Sequence, residues 1–363
     1  MRVVSPLLKH VVYPGLSKTG YLRHAARAGP AVLTYHGVLP AGYKIVHPEL
    51  DGNLVNADSF RRQLRFLKDH YNVISPEEFL LWCEASHELP SRSVLLSCDD
   101  GLRNCLVDML PILKESETKC LFFVTGASLS PAPTMLWHEE LYLMFLAAPE
   151  RFTLELLEIG LQVEASQHEK RSLWWELVRK LSQYNLNLRR TLLGKIRMQL
   201  GLAEQWDAEY REDSVLRGRF LVLNQSELHQ LAGAGMCIGA HTLSHPMLSQ
   251  SSPDMAWSEI SESKHSLERV LGQEIWALAY PFGDSSSVTS RELQMAERAS
   301  FKSAFLNVGG GLGTQTPTFA LPRVHITAAM TLAELEAHIS GFHRSLQELF
   351  RPGSLSAAVG SNA

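Results

Sequence analysis

The sequence predicts an α/β fold built on a parallel sheet, and three observations predict it. β-type runs alternate with helical periods, a strand-helix-strand unit spans Val94 to Val124, and acids and imidazoles sit where apolar runs stop. Strand ends are where α/β enzymes keep their chemistry. The chain has 363 residues, 45% hydrophobic and 20% charged, which is ample for a core. Two domains fit that length, and so does one closed α/β barrel of roughly 250 residues with extra segments.

Ala31 to Tyr35 is a short strand ending at His36 and Gly37, and the helix after it carries Phe60, Leu64 and Leu67 on one face. Val73 and Ile74 form a small strand, and Pro76 to Cys83 a helix with proline in its first turn. Val94 to Cys98 is a strand. Leu106, Met109, Leu110 and Leu113 share a face of the next helix, and the strand from Cys120 to Val124 completes the unit. In the second half Asn224 and Glu227 have capping-box spacing, opening a helix that Gly233 and Gly235 close. The run Met236 to Ala240 leads directly to His241. A helix from about 254 to 271 ends at Gly272, Ile275 to Tyr280 is a strand, and a helix runs near 289 to 299. Phe319 to Ile326 is a strand, and 332 to 346 a last helix.

From about Trp137 to Tyr210 the pattern is helical without evident strands, with Leu173, Trp174, Leu177, Val178 and Leu181 as an apolar stripe. This predicts an inserted helical segment over 131–220, either covering one side of the barrel or forming a wall or lid over its cleft. Residues 31–130 and 221–348 then make the barrel, 1–30 a basic arm packed on or beside it, and 349–363 a flexible tail.

A net charge of -4 argues against nucleic acid as the main partner, since phosphate binding needs a basic surplus. Five cysteines, at 83, 98, 105, 120 and 237, form no CxxC pair and read as reduced thiols in a cytoplasmic compartment. No run reaches the ~18 apolar residues of a membrane span. The stretch before Glu49 holds Arg2, Lys9, Lys18, Arg23, Arg27 and Lys44 and no acid, which admits a peripheral membrane role for the arm.

Asp99-Asp100-Gly101 ends one strand, and His241-Thr242-Leu243-Ser244-His245 ends another, 141 positions after Asp100. Histidines at i and i+4 suit a zinc-protease helix, but the strand before His241 and Pro246 after His245 argue for a strand-to-loop turn. Such a turn lets both imidazoles converge on one ion, and zinc and its neighbours accept two nitrogens and one carboxylate oxygen with a place left for water. Adjacent aspartates point to different sides of an extended strand. One can therefore ligate while the other faces the water. Taken singly, Asp-Asp-Gly is also a common turn and HxxxH a pair of surface histidines; their placement at matching strand ends favours a site.

These residues resemble the polysaccharide deacetylases of carbohydrate esterase family 4, the NodB-homology enzymes. Ser97-Cys98-Asp99-Asp100-Gly101 resembles the family's first motif, His241 to His245 the second, and Ala279-Tyr280-Pro281-Phe282-Gly283 the third in its variant without arginine. Leu33-Thr34-Tyr35-His36-Gly37 resembles the opening strand of one branch. The match covers about 30–125 and 220–345, with the helical insert outside it. The resemblance implies a distorted (β/α)7-type barrel, NodB-like, and metal-dependent hydrolysis of acetamides on sugars. By motif position Asp100, His241 and His245 would hold one divalent ion, zinc first, with cobalt, nickel or iron as alternatives. Asp99 would be the base, Tyr280, Pro281 and Phe282 would line the substrate, and the amide near Phe282 would be the oxyanion donor.

Two departures from the family pattern matter. The family's arginine before the third motif is replaced by Trp276, Ala277, Leu278 and Ala279, and Arg323 is the candidate substitute, able to pair with Asp99. The late leucine-any-histidine motif that supplies the general acid is not evident. His325 is the nearest candidate, and His36 is its competitor for that role and otherwise a substrate contact. Trp137 is a candidate sugar-stacking ring, against a role as packing anchor. His138, His168, His229 and His265 stand among charged neighbours in helical segments and read as solvated, and Cys98 as a small buried side chain. The expectation is an enzyme acting on carbon-nitrogen bonds of linear amides, removing N-acetyl groups from an N-acetylated glycan. An O-acetyl esterase and a glycan-binding scaffold without catalysis are the alternatives.

Overall fold

Continuous apolar runs suit strands buried on both faces. The protein is described here from a computed structural model over residues 5–24, 29–313 and 315–350. Its strands are β1 (Ala31–Tyr35), β2 (Val38–Leu39), β3 (Val55–Asn56), β4 (Asn72–Ile74), β5 (Ser93–Cys98), β6 (Leu121–Val124), β7 (Arg151–Leu156), β8 (Leu161–Ser166), β9 (Cys237–Ala240), β10 (Ala277–Ala279), β11 (Ser303–Phe305) and β12 (Val324–His325). The main sheet runs β11-β10-β9-β6-β5-β1-β12, with β4 on the early part of β5, and every pairing in it is parallel. The sheet curls as a seven-stranded half-barrel. A parallel bridge from Phe305 to Leu321 brings β11 against the segment that leads into β12. The α/β barrel-type fold is as expected.

Strand parity sorts the core into two layers, because successive side chains alternate between faces. Leu33, Tyr35, Leu96, Cys98, Phe122, Ile238 and Ala240 pack outward against Phe60, Leu64 and Leu67 of the helix Ala57–His70 and against Met109, Leu228, Ile260 and Leu267. Val32, Leu95, Leu121, Phe123, Ala277, Ala279 and Phe305 form the inner layer, together with Phe79 of the helix Pro76–Cys83. Residues that follow the inner parity past the strand ends are Asp99, His241 and His36, so the sheet itself aims the candidate site inward. Backbone bonds extend the ladder by one residue and hold these positions: Asp99 N donates to Tyr35 O at 2.9 Å and His241 N to Val124 O at 2.9 Å.

Several local expectations hold. The capping box at Asn224/Glu227 is formed, and Gly272 ends its helix in the left-handed region at φ 66°; a second box, Thr289/Glu292, caps the helix Ser290–Arg298. Others are corrected. The segment read as purely helical contains an antiparallel hairpin, β7 with β8, whose residues 151–156 alternate exposed and buried. The last strand is only Val324–His325, and the last helix breaks at Gly341, φ 76°, into Leu332–Ile339 and Phe342–Phe350. Residues 5–24 pack on the barrel through Tyr13 and Leu22 against Ala337, with Lys9 on Glu334 and Arg23 on Glu336. Of the tail expected over 349–363, residues 349 and 350 instead end the helix Phe342–Phe350, and 351–363 lie outside the described residues.

The chain leaves the sheet after β6 and returns at β9, its next-door neighbour. Between them the helices Trp137–Ala147, Lys170–Leu181, Leu186–Gln199 and Ser214–Phe220 and the hairpin build a separate hydrophobic cluster that also takes in Leu50, Met247 and part of Phe282. Arg219 ties this layer to the barrel. Its buried guanidinium meets Asp51 at 2.7 Å and Glu139 at 2.8 Å, and also donates to Leu50 O at 2.8 Å.

Candidate metal and catalytic site

Each candidate group stands at the C-terminal end of a parallel strand: His36 after β1, Asp99 and Asp100 after β5, His241 after β9, Pro281 and Phe282 after β10, and His325 closing β12. The turns that carry them are bent out of ordinary backbone space. Asp100 (φ 75°), Thr242 (63°), His245 (53°) and Phe282 (61°) are four of the eight non-glycine residues with positive φ among the described residues. Each such conformation costs on the order of 1–3 kcal/mol, so their gathering at one place marks a functional constraint. Gly283, φ 65°, is needed where it stands, because a Cβ there would meet Asn307 N at 2.5 Å.

The turn at Asp100 sends the two aspartates to different partners. Asp100 Oδ1 lies 3.4 Å from His241 Nε2 and 3.3 Å from His245 Nε2, and one ligand atom from each of the three falls within 4.8 Å of the others. Two imidazole nitrogens and a carboxylate oxygen are a donor set that suits zinc and its neighbours with an open position. His241 Nδ1 sits 2.7 Å from Ala279 O, which fixes the proton there and leaves Nε2 free as a donor to a cation. Burial disfavours the Asp100 charge, yet the hydrogen-bonding imidazoles of His241 and His245 outweigh it and hold the carboxyl well below its usual range.

Asp99 turns to Arg323, which grips it with two bonds, Nη1 to Oδ1 at 2.7 Å and Nη2 to Oδ2 at 2.6 Å. Arg323 is fully buried, donates further to Leu306 O at 3.1 Å, and lies over Phe123 and Phe305. Burial raises the Asp99 pKa, but the Arg323 charge, His241 and the paired bonds overcome it, so the carboxylate is held ionised below its ordinary value. One lone pair on each oxygen stays free.

His36 and His325 face each other with ring centroids 4.8 Å apart. His36 Nδ1 and His325 Nε2 are buried atoms with no hydrogen-bond partner among the described residues. Burial first, then the nearby His36, push the His325 pKa down to about 3. Phe282 is half-buried, with its ring 4.9 Å from that of His245. Its amide donates to nothing among the described residues.

Three expected substrate contacts, Trp137, Tyr280 and Pro281, are buried away from the site's surface. Trp137 is 6% exposed, Arg189 covers one face of its ring at 4.7 Å, and its Nε1 donates to His245 O at 3.1 Å. It is an anchor, with no free face for a sugar. Tyr280 is buried with its hydroxyl on Phe319 O at 3.1 Å, and Pro281 is buried in the turn, so of the third motif Phe282 alone reaches the site's surface. His168, His229 and His265 are exposed as expected. His138 is not. Its ring stacks on His245 at 4.6 Å and 23°, close to Phe282, and burial and His245 hold it well below the usual histidine range, hence neutral. Nothing in its local sequence, Trp137-His138-Glu139-Glu140, distinguishes it from a solvated histidine.

The fold is a NodB-type barrel, and at its strand ends Asp100, His241 and His245 gather beside the Arg323-bound Asp99. Residues 171–302 match the family model described as Polysaccharide deacetylase, which is the family read from the sequence. That range holds both histidines and the third motif, and it starts inside the segment expected to lie outside the match. A curated relative named for the same family, YxkH of Bacillus subtilis (strain 168), is 25% identical over 117 residues, 32% of this chain and 41% of that protein. The chain thus matches less than half the length of this relative. Among solved structures, Streptococcus pyogenes deacetylase PplD in complex with acetate superposes with a TM-score of 0.54 at 21% identity, covering 86% of this chain and 98% of that one. IcaB from Ammonifex degensii gives 0.53 at 15%, covering 87% and 98%. A de-N-acetylase from Aggregatibacter actinomycetemcomitans gives 0.51 at 14%, covering 85% and 99%. At these identities the likeness is one of fold.

Proposed function

We propose that the chain is a hydrolase that removes N-acetyl groups from amino sugars of a polysaccharide or glycan precursor, using one divalent cation, zinc first, held by Asp100, His241 and His245. The observation that carries this reading is the pairing of Asp99 with Arg323 directly beside that three-donor group. A bound cation supplies Lewis acidity toward water and the acetyl carbonyl. Asp99 accepts the proton of the attacking water through its free lone pairs, while Arg323 keeps it ionised and fixes its rotation. The unengaged Phe282 amide donates to the carbonyl oxygen as charge builds on it. His325, with His36 beside it, faces the departing nitrogen and is the proton donor. Its ring is neutral in the free site near pH 7, so its protonation must accompany turnover.

The names of the similar structures, a deacetylase solved with acetate and a de-N-acetylase, support the N-acetyl substrate. No helix among the described residues is long and apolar enough to cross a membrane. Free thiols, with Cys98 and Cys105 Sγ in a 3.4 Å hydrogen bond and not joined by a disulfide, support a reducing, cytoplasmic location. Exposed Leu7 and Val11 beside Lys18 support peripheral contact with a membrane through the arm.

The test is metal analysis of the purified protein together with acetate release from a panel of N- and O-acetylated glycans. Acetate from N-acetylated sugars with one ion per chain is the expected result. Release only from O-acetyl esters makes the chain an esterase, and metal-loaded protein that binds glycan without releasing acetate makes it a scaffold.

A further inference from the structure

The two histidines of the three-donor group are held in different ways. His241 is fixed through Nδ1 on Ala279 O. His245 Nδ1 has no partner among the described residues, so no hydrogen bond from its far nitrogen sets the plane of its ring. Packing has to set it instead. One face of the ring is covered by the stacked imidazole of His138, and Phe282 stands edge-on at 72°.

The backbone of the same turn depends on the inserted segment too. Thr242 and His245 are both in the left-handed region, and such a turn stays in place only when its polar groups are tied down. The barrel supplies the ties for amide donors: Ser244 N donates to Glu259 Oε2 at 2.8 Å, and His245 N to Thr242 Oγ1 at 3.1 Å. Gly126 N of the barrel also donates to Thr242 O at 3.0 Å, and the insert supplies the ties for the carbonyls of Ser244 and His245. Trp137 Nε1 donates to His245 O, and the fully buried Arg189 donates from Nη1 to Ser244 O at 2.9 Å and Ser244 Oγ at 3.1 Å. These residues brace one another. Arg189 lies over the Trp137 ring, and Trp174 Nε1 donates to His138 O at 2.7 Å. Further along the turn, Met247 N donates to Ser182 Oγ at 2.8 Å.

We propose that the inserted segment is the outer half of the metal centre, with His138, Trp137 and Arg189 as positioning residues that orient His245 for the ion. This rests on the reading that Asp100, His241 and His245 hold a cation. It goes beyond that reading by making the affinity of the site a property of residues that lie outside the barrel.

The experiment is a cobalt(II) titration of the purified full chain, followed by absorbance and by competition with a chelator, with no substrate present. His138→Ala removes the stacked ring and is expected to weaken the ion by about 10- to 100-fold, the usual cost of losing a residue that orients a ligand. His138→Phe keeps a flat ring and is expected to stay close to wild type. Trp137→Phe keeps the surface under Arg189 but deletes the N–H on His245 O, and is expected to weaken binding as well. Circular dichroism and thermal unfolding in excess chelator identify variants that are folded. If His138→Ala does not fold, Trp137→Phe decides. Folded variants that bind cobalt as wild type does overturn the proposal. Wild-type protein that binds no cation overturns the reading of the site itself, so the two failures are distinct.

Discussion

Arg323 and Asp99 are 224 positions apart and meet through two bonds in a fully buried pocket, so the proposed base is set by a partner that stands just before the last strand. Arg323→Ala should leave the metal content unchanged and lower turnover. The acid limb of the pH-rate profile should also move to higher pH, since a neighbouring cation favours the carboxylate and its loss lets burial dominate. An unmoved limb with an unchanged rate would remove Arg323 from the mechanism. Asp99→Asn should keep the ion and lose activity, while His241→Ala or His245→Ala should lose the ion, read by metal analysis of the three variants. His325→Ala should cost roughly 10²–10⁴-fold on an N-acetyl sugar and far less on nitrophenyl acetate, whose leaving group needs no proton. Equal losses on both would pass the acid role to His36. Asp99, Asp100, His241 and Arg323 were legible in the sequence because each lies at or beside a strand end, where a polar residue after an apolar run stands out. His138 was not legible. Its proposed role comes from the His245 ring that stacks on it across 107 residues of chain, and a helix start among glutamates gives no sign of that.

At the scale of elements, one of the links between barrel and inserted helices is Arg219, a charge buried with two carboxylates. Arg219→Met would strand Asp51 and Glu139 without their cation. We expect it to destabilise the protein by about 3–5 kcal/mol in urea unfolding, as when one partner of a buried pair is removed. A loss below about 1 kcal/mol would mean the pair behaves as a surface bridge does and that the layers are joined by other contacts. The elements that the sequence showed best were those with caps or long stripes, such as Pro76–Cys83 and Pro253–Leu271. The β7–β8 hairpin was missed although Phe152, Leu154 and Leu156 alternate with Arg151, Thr153 and Glu155, because the strong helical stripe at 173–181 set the period for the whole stretch. The last strand is shorter than the sequence predicts because Phe319, Ala320 and Leu321 are apolar for packing; the pairing with β1 covers only Val324 and His325.

At the scale of the molecule, two half-buried histidines contribute to how the fold responds to acid. The pKa values of His325 and His338 are both pushed down to about 3, chiefly by burial, whereas in the unfolded chain a histidine titrates near 6.5. The folded state therefore binds fewer protons. Stability is whole above about pH 6.5 and is lost as the pH falls toward about 3, by up to about 1.4 kcal/mol per pH unit for each ring. Urea midpoints at pH 7 and pH 5 measure this, and His338→Gln should shrink the difference between them. A variant with the wild-type difference would show that His338 titrates normally in the fold.

Thr134 O accepts from Val222 N at 2.8 Å, and Met135 pairs with Leu221, so the long excursion from the sheet leaves and re-enters through a single doorway. Chains whose two crossing points touch are the ones that accept exchange or removal of what lies between. A short linker across that doorway should let the sheet close without the excursion, since β6 and β9 are already neighbours. The shortened chain would still own Asp100, His241 and His245, but Trp137, His138, Arg189 and Arg219 would have gone together. The excursion can thus be exchanged as one cassette, and on the proposed role of His138 the replacement would have to bring its own grip on the second histidine.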